Sequence, residues 1–333
     1  MKRNIDELIA AVFSAVESHR IADGEYARWL WQDETGSRNL APSEYGCADA
    51  ANILYTIGRF PSSGAERKAF VRKLQSFQTP ETGLFSEPTH HFMHSTAHCT
   101  AALELFDARP LYPIRAYDKF LTREGLYALL ESLDWENNAW PEAHKGAGIY
   151  AALMNTDAAS LRWQNDYFGW LDANCDEKYG VSRRGAIDSR GCAEDRHLYG
   201  WFHYMFNYTH SRRPFPHAET LVDTAIRLYR DRDFSTDFGK MIGFCEIDWV
   251  YALNRAASQT GYRFRESRRL LREFAGEFLD YLESLDYPRH DGFNDLHMLF
   301  GMTCAIAELQ LALPGELVST RPLKSVLDRR PFI

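Results

Sequence analysis

The sequence predicts an all-α protein in which six helical hairpins close into an (α/α)6 barrel, also called a toroid. Residues 74–106 carry the pattern most clearly: an amphipathic helix ends, a turn with Pro, Thr and Gly follows, and a second helix begins. The same order returns along the chain at intervals of roughly fifty residues, which is typical of a repeat protein. Six units are the number that a closed ring needs, and an open solenoid is the alternative.

The other five units keep this pattern to different degrees. They span residues 29–58, 129–154, 171–205, 226–254 and 278–309. The first of them is degenerate and ends in EYGCADAANILYTIG. Residues 155–170 carry no turn signal and are predicted to form the first helix of the fourth unit. Because the proline-containing pieces between helices are short, residues 1–333 are predicted to form a single α/α-barrel domain.

The composition is that of an enzyme-sized domain with a buried core. Hydrophobic residues make up 45% of the chain and charged residues 25%, and no run approaches the roughly 18 apolar residues of a membrane span. Asp6 and Glu7 interrupt the apolar patch near the start, so we expect an amphipathic helix there and not a signal peptide. The six cysteines show no CxxC spacing and are expected to be free thiols. We therefore expect a cytoplasmic protein.

The charge pattern narrows the class of partner. The net charge is -8 and the sequence contains no basic run, which argues against nucleic acid. We expect a small-molecule substrate, no membrane span and no cofactor. The sequence leaves the oligomeric state open, a homo-oligomer included.

One unit carries a repeat that is known from other proteins. FVRKLQSFQTPETGLF, with Gln75, Gln78, Gly83 and Phe85, resembles the repeat of squalene cyclases and protein prenyltransferases, in which a helix ends in Gln and a Gly–aromatic pair follows a polar turn. LLESLDWENNAW and YLESLDYPRHDGF resemble it more loosely, so the resemblance covers half of the chain. It implies an α/α toroid, a fold similar to that of six-hairpin glycosidases, sugar epimerases and polysaccharide lyases.

The resemblance does not extend to the chemistry of those families. The sequence contains neither the DxDD motif of the cyclases nor a DDxxD motif, and the zinc pattern of protein prenyltransferases has no match in it. A fold of this kind supports many reactions, so the function has to be argued from the residues of the site.

Aligned second helices predict two tiers of polar residues on one face, because positions four residues apart share a helix face. The tier that we expect to be catalytic consists of Asp49, His98, His197 and Asp248. One turn earlier lie His94, His144 and Glu194. A lumen ringed by such groups predicts a reaction chamber. The alternative is that each is a buried polar residue whose hydrogen bonds a neighbouring helix satisfies.

Asp248 is the strongest single candidate. It lies in GFCEIDWVYAL, where an ionised carboxylate costs several kcal/mol unless it is paired or its pKa is shifted. Such groups are typical of functional sites. We therefore predict that Asp248 is a catalytic acid or base with His98 as its partner. The structural alternative is an ion pair with Arg196 or Arg190.

The segment THHFMHSTAH is the second local signal. His90, His94 and His98 follow one another at four-residue steps, so they share one face of a helix. His94 and His98 have the spacing of zinc ligands but lack the Glu of HExxH. We favour acid/base or hydrogen-bonding roles for these imidazoles, without a metal.

The remaining candidates surround the two tiers and are expected to bind substrate. Arginine side chains bind carboxylate or phosphate groups through two parallel hydrogen bonds, and aromatic rings stack on sugars or pack in the core. The predicted substrate-binding residues are His94, His144, Glu194, Asp195, Arg190, Arg196, Trp140, Tyr199, Trp201, Glu246, Trp249 and His297.

A lumen rich in histidine and carboxylate favours a carbohydrate-active enzyme, that is, a glycoside hydrolase, a lyase or a sugar isomerase. In such an enzyme one group protonates a leaving oxygen and another activates water or abstracts a proton. The alternative is a terpenoid cyclase or prenyl-transfer-like enzyme, which needs a mainly apolar chamber and an Asp-rich motif. A third interpretation is a non-catalytic helical scaffold that binds a protein on its concave face.

Overall fold

The computed structural model describes residues 2–333, and it confirms the all-α prediction. Six helices, which we call the buried helices, have most of their residues in the interior. They are α2 (Glu44–Thr56), α4 (Phe92–Leu105), α6 (Ala139–Asn155), α8 (Glu194–His210), α10 (Cys245–Thr260) and α13 (Leu296–Ala312). A four-residue helix, α12 (Asp291–Asn294), precedes the last of them.

Six further helices bury one face and expose the other, and we call them the amphipathic helices. They are α1 (Asp6–Ser18), α3 (Gly64–Ser76), α5 (Arg123–Ser132), α7 (Leu161–Asn174), α9 (Ala218–Asp231) and α11 (Phe264–Glu283). One amphipathic helix precedes each buried helix along the chain, as the hairpin pattern predicts.

The buried helices pack against one another in chain order. α2 contacts α4, α4 contacts α6, and the sequence of contacts continues through α8 and α10 to α13, which packs back against α2. The amphipathic helices lie against this set: α3 contacts α2 and α4, α9 contacts α10, and α11 contacts α10 and α13.

Short elements complete the chain. Strand β1 (Arg3–Asn4) pairs in parallel with β4 (Leu317–Val318), and β2 (Arg20–Ala22) pairs antiparallel with β3 (Glu25–Tyr26). Single turns of 3-10 helix span Tyr287–Arg289 and Val326–Asp328, and a longer one spans Arg115–Phe120.

The helix boundaries follow from local side-chain chemistry. Ser43, Ser63, Thr122 and Ser160 each accept a hydrogen bond from a backbone N–H in the first turn of α2, α3, α5 and α7. These oxygens satisfy donors that have no partner inside the helix, which stabilises each start by about 1 kcal/mol.

The turn between α3 and α4 shows why its unit has the Gln and Gly of the repeat. Gly83 has φ +75°, and a Cβ there would lie 2.1 Å from the carbonyl oxygen of Pro113. The Gln78 side chain donates to the carbonyl oxygens of Gly83 (2.9 Å) and Tyr112 (2.7 Å) and accepts from the Tyr112 N–H. The side chain and the glycine together hold the turn against the following loop.

The last residues enter the space between the buried helices. The turn Val326–Asp328 contacts α2 and α8, and the Arg330 guanidinium donates to the Asn52 side chain. The Phe332 ring lies 4.9 Å from the ring of His94 and 5.6 Å from that of Phe206. This segment therefore fills part of the interior.

All six cysteines are free, and five of them are buried. Within residues 2–333 every helix is too short or too polar to cross a membrane.

Close approach of α8 to α6 depends on Gly200. A Cβ at this position would lie 2.6 Å from the Ala139 carbonyl oxygen, whereas one at Gly169 in α7 would meet no atom within 4 Å. We expect Gly200→Ala to lower the free energy of unfolding by roughly 1–3 kcal/mol through overpacking. Gly169→Ala is the control and should raise it by roughly 0.5–1 kcal/mol. Urea unfolding measures both, and equal changes would contradict this account of the helix contact.

Candidate functional site

A cavity of about 330 Å³ is lined by residues of α4, α6, α8 and α13 and of the segments between helices, and we call it the histidine chamber. Its polar and aromatic lining residues are Arg28, His90, His94, Trp140, His144, Arg196, His203 and His297. Pro141, Phe244, Met298 and Ile333 add apolar surface. The volume lies at the lower end of the range for small-molecule sites, about 300–1,000 Å³. An apolar wall with a few converging polar groups is typical of such sites.

A carboxylate beneath the chamber joins three buried helices. Asp49 of α2 accepts from His98 Nε2 of α4 at 2.7 Å and from His297 Nδ1 of α13 at 3.2 Å, through the same oxygen. Burial alone favours the neutral acid, but the two imidazoles outweigh burial and lower the pKa of Asp49 below its ordinary value. His98 is therefore paired with Asp49 and not with Asp248.

Burial keeps the chamber histidines neutral near pH 7. It lowers the pKa of His203 and of His297 to about 4. It also lowers the pKa of His90, and it lowers those of His94 and His144 further, since neighbouring imidazoles add to the effect of burial. A neutral imidazole has one N–H donor and one acceptor nitrogen.

Hydrogen-bond partners determine which nitrogen is the acceptor. His203 Nδ1 lies 2.9 Å from the Tyr199 carbonyl oxygen, and His297 Nδ1 contacts the Asp49 carboxylate. Both oxygens can only accept, so the proton of each ring is on Nδ1. Nε2 of each ring therefore carries a free lone pair.

One of the two chamber arginines is paired with a carboxylate and the other is not, among the described residues. Arg28 donates to both carboxylate oxygens of Asp295, at 2.8 and 2.9 Å, and to Thr89. Arg196 donates to the Ser235 hydroxyl at 2.9 Å, and its guanidinium carbon lies 5.1 Å from the Trp140 ring centre. Within residues 2–333 no carboxylate forms an ion pair with Arg196. Its charge is available to a ligand.

Asp248 and Glu246 are buried at the start of α10. Burial raises the pKa of Glu246 to about 7 and that of Asp248 well above its ordinary value, and the nearby Glu246 adds to the shift of Asp248. Among the described residues neither oxygen of Asp248 has a hydrogen-bond partner. Asp248 follows Phe244, which lines the chamber, by one helical turn. The ion pair with Arg196 or Arg190 does not form.

Several predicted site residues do not line the chamber. They form hydrogen bonds or ion pairs with other residues, which the sequence pattern did not predict. His197 uses both ring nitrogens, on the Ser182 hydroxyl and the Cys192 sulfur. Glu194 forms an ion pair with Arg227 of α9. Asp195 accepts from the backbone and hydroxyl of Ser235, so it positions a loop. None of the four catalytic candidates lines the histidine chamber, and among them Asp49 and His98 hydrogen-bond to each other.

The aromatic candidates divide between the chamber and the core. Trp140 lines the chamber, and the Tyr199 ring packs against it at a tilt of 55° with ring centres 5.2 Å apart. Trp249 donates to the Ala225 carbonyl oxygen and packs among α9 and α11 residues, so it is core. Trp201 packs on Tyr204. Arg190, in the loop before α8, is exposed.

Several residues of the chamber were not identified from the sequence as site residues, among them His203, Arg28 and Ile333. His203 follows Tyr199 by four positions, so the same-face rule applied to Tyr199 finds it. Arg28 precedes the first buried helix and reaches the chamber through Asp295, which is 267 positions later in the chain. Ile333 arrives with the last segment. No local pattern marks either of these two.

Two groups of side chains have the spacing of metal ligands. One is His90, His94 and His297, and the other is Asp49, His98 and His297. Within each group, one ligand atom per residue lies within 4.8 Å of the other two. Neutral histidine is the protonation state that binds metal ions.

Comparisons with known proteins give no relative. No family model matches the chain. No curated protein matches it, and no solved structure does. The function therefore rests on the site itself.

The pKa of Glu246 predicts a pH dependence of stability. A carboxyl whose pKa is raised by folding stabilises the fold fully below its ordinary pKa of 4.5, and this contribution is lost as pH rises through about 7. The free energy of unfolding of the wild type should therefore fall by up to roughly 3 kcal/mol between pH 4.5 and pH 8, at about 1.4 kcal/mol per pKa unit. Glu246→Gln should not show this fall. Urea unfolding at both pH values measures it, with exposed Glu81→Gln as the control. Parallel profiles for wild type and Glu246→Gln would refute the prediction.

Proposed function

We propose that the six buried helices form the inner ring of an (α/α)6 barrel and that the histidine chamber is the active site of a carbohydrate-active enzyme. The circular order of contacts, from α2 through α13 and back to α2, supports the barrel. The amphipathic helices then form the outer layer. Glycoside hydrolysis, elimination and isomerisation all remain within this class.

The observation that carries the proposal is the convergence of five imidazoles, two guanidiniums and a tryptophan on one cavity. Side chains of these types hydrogen-bond to hydroxyl groups, and an indole face packs on the C–H face of a sugar ring. A terpenoid cyclase or prenyl-transfer enzyme needs a chamber that is mainly apolar, and this lining does not favour one. A scaffold that binds a protein on its concave face needs no set of buried, neutral histidines.

Arg196 suggests that the substrate is anionic. Its guanidinium lines the chamber, lies against Trp140 and forms no ion pair within residues 2–333. A carboxylate beside it would gain charge-assisted hydrogen bonds in the planar geometry that guanidinium groups favour. A sugar acid places a carboxylate and a ring face next to each other, which suits the pair formed by Arg196 and Trp140.

Acid and base roles follow from the proton positions. His203 is neutral, lines the chamber and keeps a lone pair on Nε2, so it is suited to accept a proton. Burial raises the pKa of Asp248 well above its ordinary value and so favours its protonated form, which is suited to donate a proton. The shifted pKa values of such a pair are typical of active sites.

We also propose that the protein works in the cytoplasm. Six free cysteines fit a compartment in which thiols stay reduced. The substrate would then be a small soluble sugar derivative.

Removal of the Arg196 charge tests the class of substrate. We expect galacturonate to raise the melting temperature of the wild type and galactose to have a smaller effect, because only galacturonate carries a carboxylate. Arg196→Gln should remove the difference between the two sugars. The matched control is Arg190→Gln, which removes the same charge from an exposed loop. A galacturonate shift that survives Arg196→Gln, or is absent from the wild type, would contradict the proposal.

Replacement of Asp248 tests its role as the acid. Asp248→Asn keeps the shape of the side chain, and we expect unchanged helix content in circular dichroism. Turnover of the sugar acid should fall on the order of a hundredfold or more, the usual contribution of a positioned acid or base. A loss of folding that parallels the loss of turnover would instead make Asp248 a structural residue. Unchanged turnover would remove it from the mechanism.

A further inference from the structure

The geometry points to a divalent transition-metal site in the histidine chamber, with His90, His94 and His297 as its ligands. Zn²⁺ is the ion that three imidazoles suit best, and Co²⁺ fits the same geometry. This inference does not rest on the proposed function, because the site is built from ring nitrogens and not from a sugar pocket.

Nδ1 of each of the three rings has a hydrogen-bond partner. His90 Nδ1 lies 2.8 Å from the Thr89 hydroxyl, which donates its own proton to Glu87 and so accepts from His90. His297 Nδ1 donates to Asp49 at 3.2 Å. Nε2 of both rings is therefore the free, unprotonated nitrogen, which is the form that binds a metal.

His94 completes the set in the same way. Its Nδ1 contacts the Tyr45 hydroxyl, and a metal on Nε2 would make that hydroxyl the acceptor. Metal-binding histidines almost always donate their other N–H to a carboxylate, a carbonyl or another oxygen, which orients the ring. All three rings have such a partner.

The three ligand atoms lie near enough to one another for side-chain rotations to bring them to one ion. One nitrogen of each ring lies within 4.8 Å of the others, and Zn–N bonds are about 2.0–2.1 Å long. Two such bonds at a tetrahedral angle place the nitrogens about 3.3 Å apart, so side-chain rotations have to bring the three nitrogens up to about 1.5 Å closer to bind one ion. The rings of His90 and His94 are stacked, and that of His297 stands edge-on to both.

The chamber set is a better site than the second group. Asp49 and His98 are fully buried, and the Asp49 oxygen that contacts both histidines already accepts their N–H groups. His90, His94 and His297 all line the chamber, which provides an entry path and leaves a coordination position open towards the cavity. Three protein ligands with one open position are typical of catalytic and not of structural zinc.

The test is a metal titration of the full-length protein without any sugar. The protein is first dialysed against a chelator, then titrated with Zn²⁺ in a calorimeter and with Co²⁺ in a visible spectrometer. We expect one equivalent of each ion, and visible Co²⁺ bands typical of four-coordination. X-ray absorption of the Zn²⁺ form should find three imidazoles. Absence of saturable binding, or a ligand shell with fewer than three imidazoles, would overturn the inference.

Variants of single residues test which of the two groups of side chains binds the ion. His90→Asn should weaken Zn²⁺ binding by more than tenfold, and Asp49→Asn, which removes the hydrogen-bond partner of both His98 and His297, should weaken it 10- to 100-fold. His203→Gln is the matched control from the same chamber and should bind Zn²⁺ as the wild type does. Unchanged affinity in His90→Asn, or loss of binding in His98→Asn alone, would place the ion in the other group and reject this site.

The metal site and the carbohydrate proposal can be rejected independently of each other. Zn²⁺ binding without a response to galacturonate would retain the metal site and reject the sugar acid. A response to galacturonate without Zn²⁺ binding would retain the sugar acid and reject the metal site.

Discussion

The arrangement of the chamber depends on one buried carboxylate. Asp49 contacts histidines from two other buried helices, and α2 packs between α4 and α13, which carry them. An ionised carboxylate in the interior is stable only with such partners, and a buried pair that loses one member is destabilised by about 3–5 kcal/mol. Both histidines must therefore stay where Asp49 holds them. The tautomer of His297, and with it the free nitrogen in the chamber, follows from this contact.

Burial lowers the pKa of the chamber histidines and raises the pKa of the buried Asp248. It disfavours the charged form of each, so the histidines stay neutral and the pKa of Asp248 is raised well above its ordinary value. Near pH 7 the chamber therefore offers free imidazole lone pairs. The same pattern serves proton transfer and metal binding, and it explains how one cavity supports both proposals.

The repeat pattern was sufficient to predict six pairs of helices, because the turns and apolar faces are local features of the sequence. The same-face rule predicted His94 and His144 beside each other, and both line the chamber. Trp249, predicted to bind substrate, directly follows Asp248, and one step along a helix rotates a side chain by about 100°, which turns Trp249 towards α9 and α11. Arg28 lies outside the helices and depends on a contact with Asp295 far along the chain, which no local pattern contains.

The central claim is that the histidine chamber binds a small anionic sugar derivative. A crystal structure of the protein soaked with galacturonate tests it most directly. The account predicts the sugar inside the chamber, with its carboxylate on Arg196, its ring face on Trp140 and a hydroxyl within hydrogen-bond distance of His203. An empty chamber at saturating galacturonate, or sugar bound only on the outer surface, would contradict it.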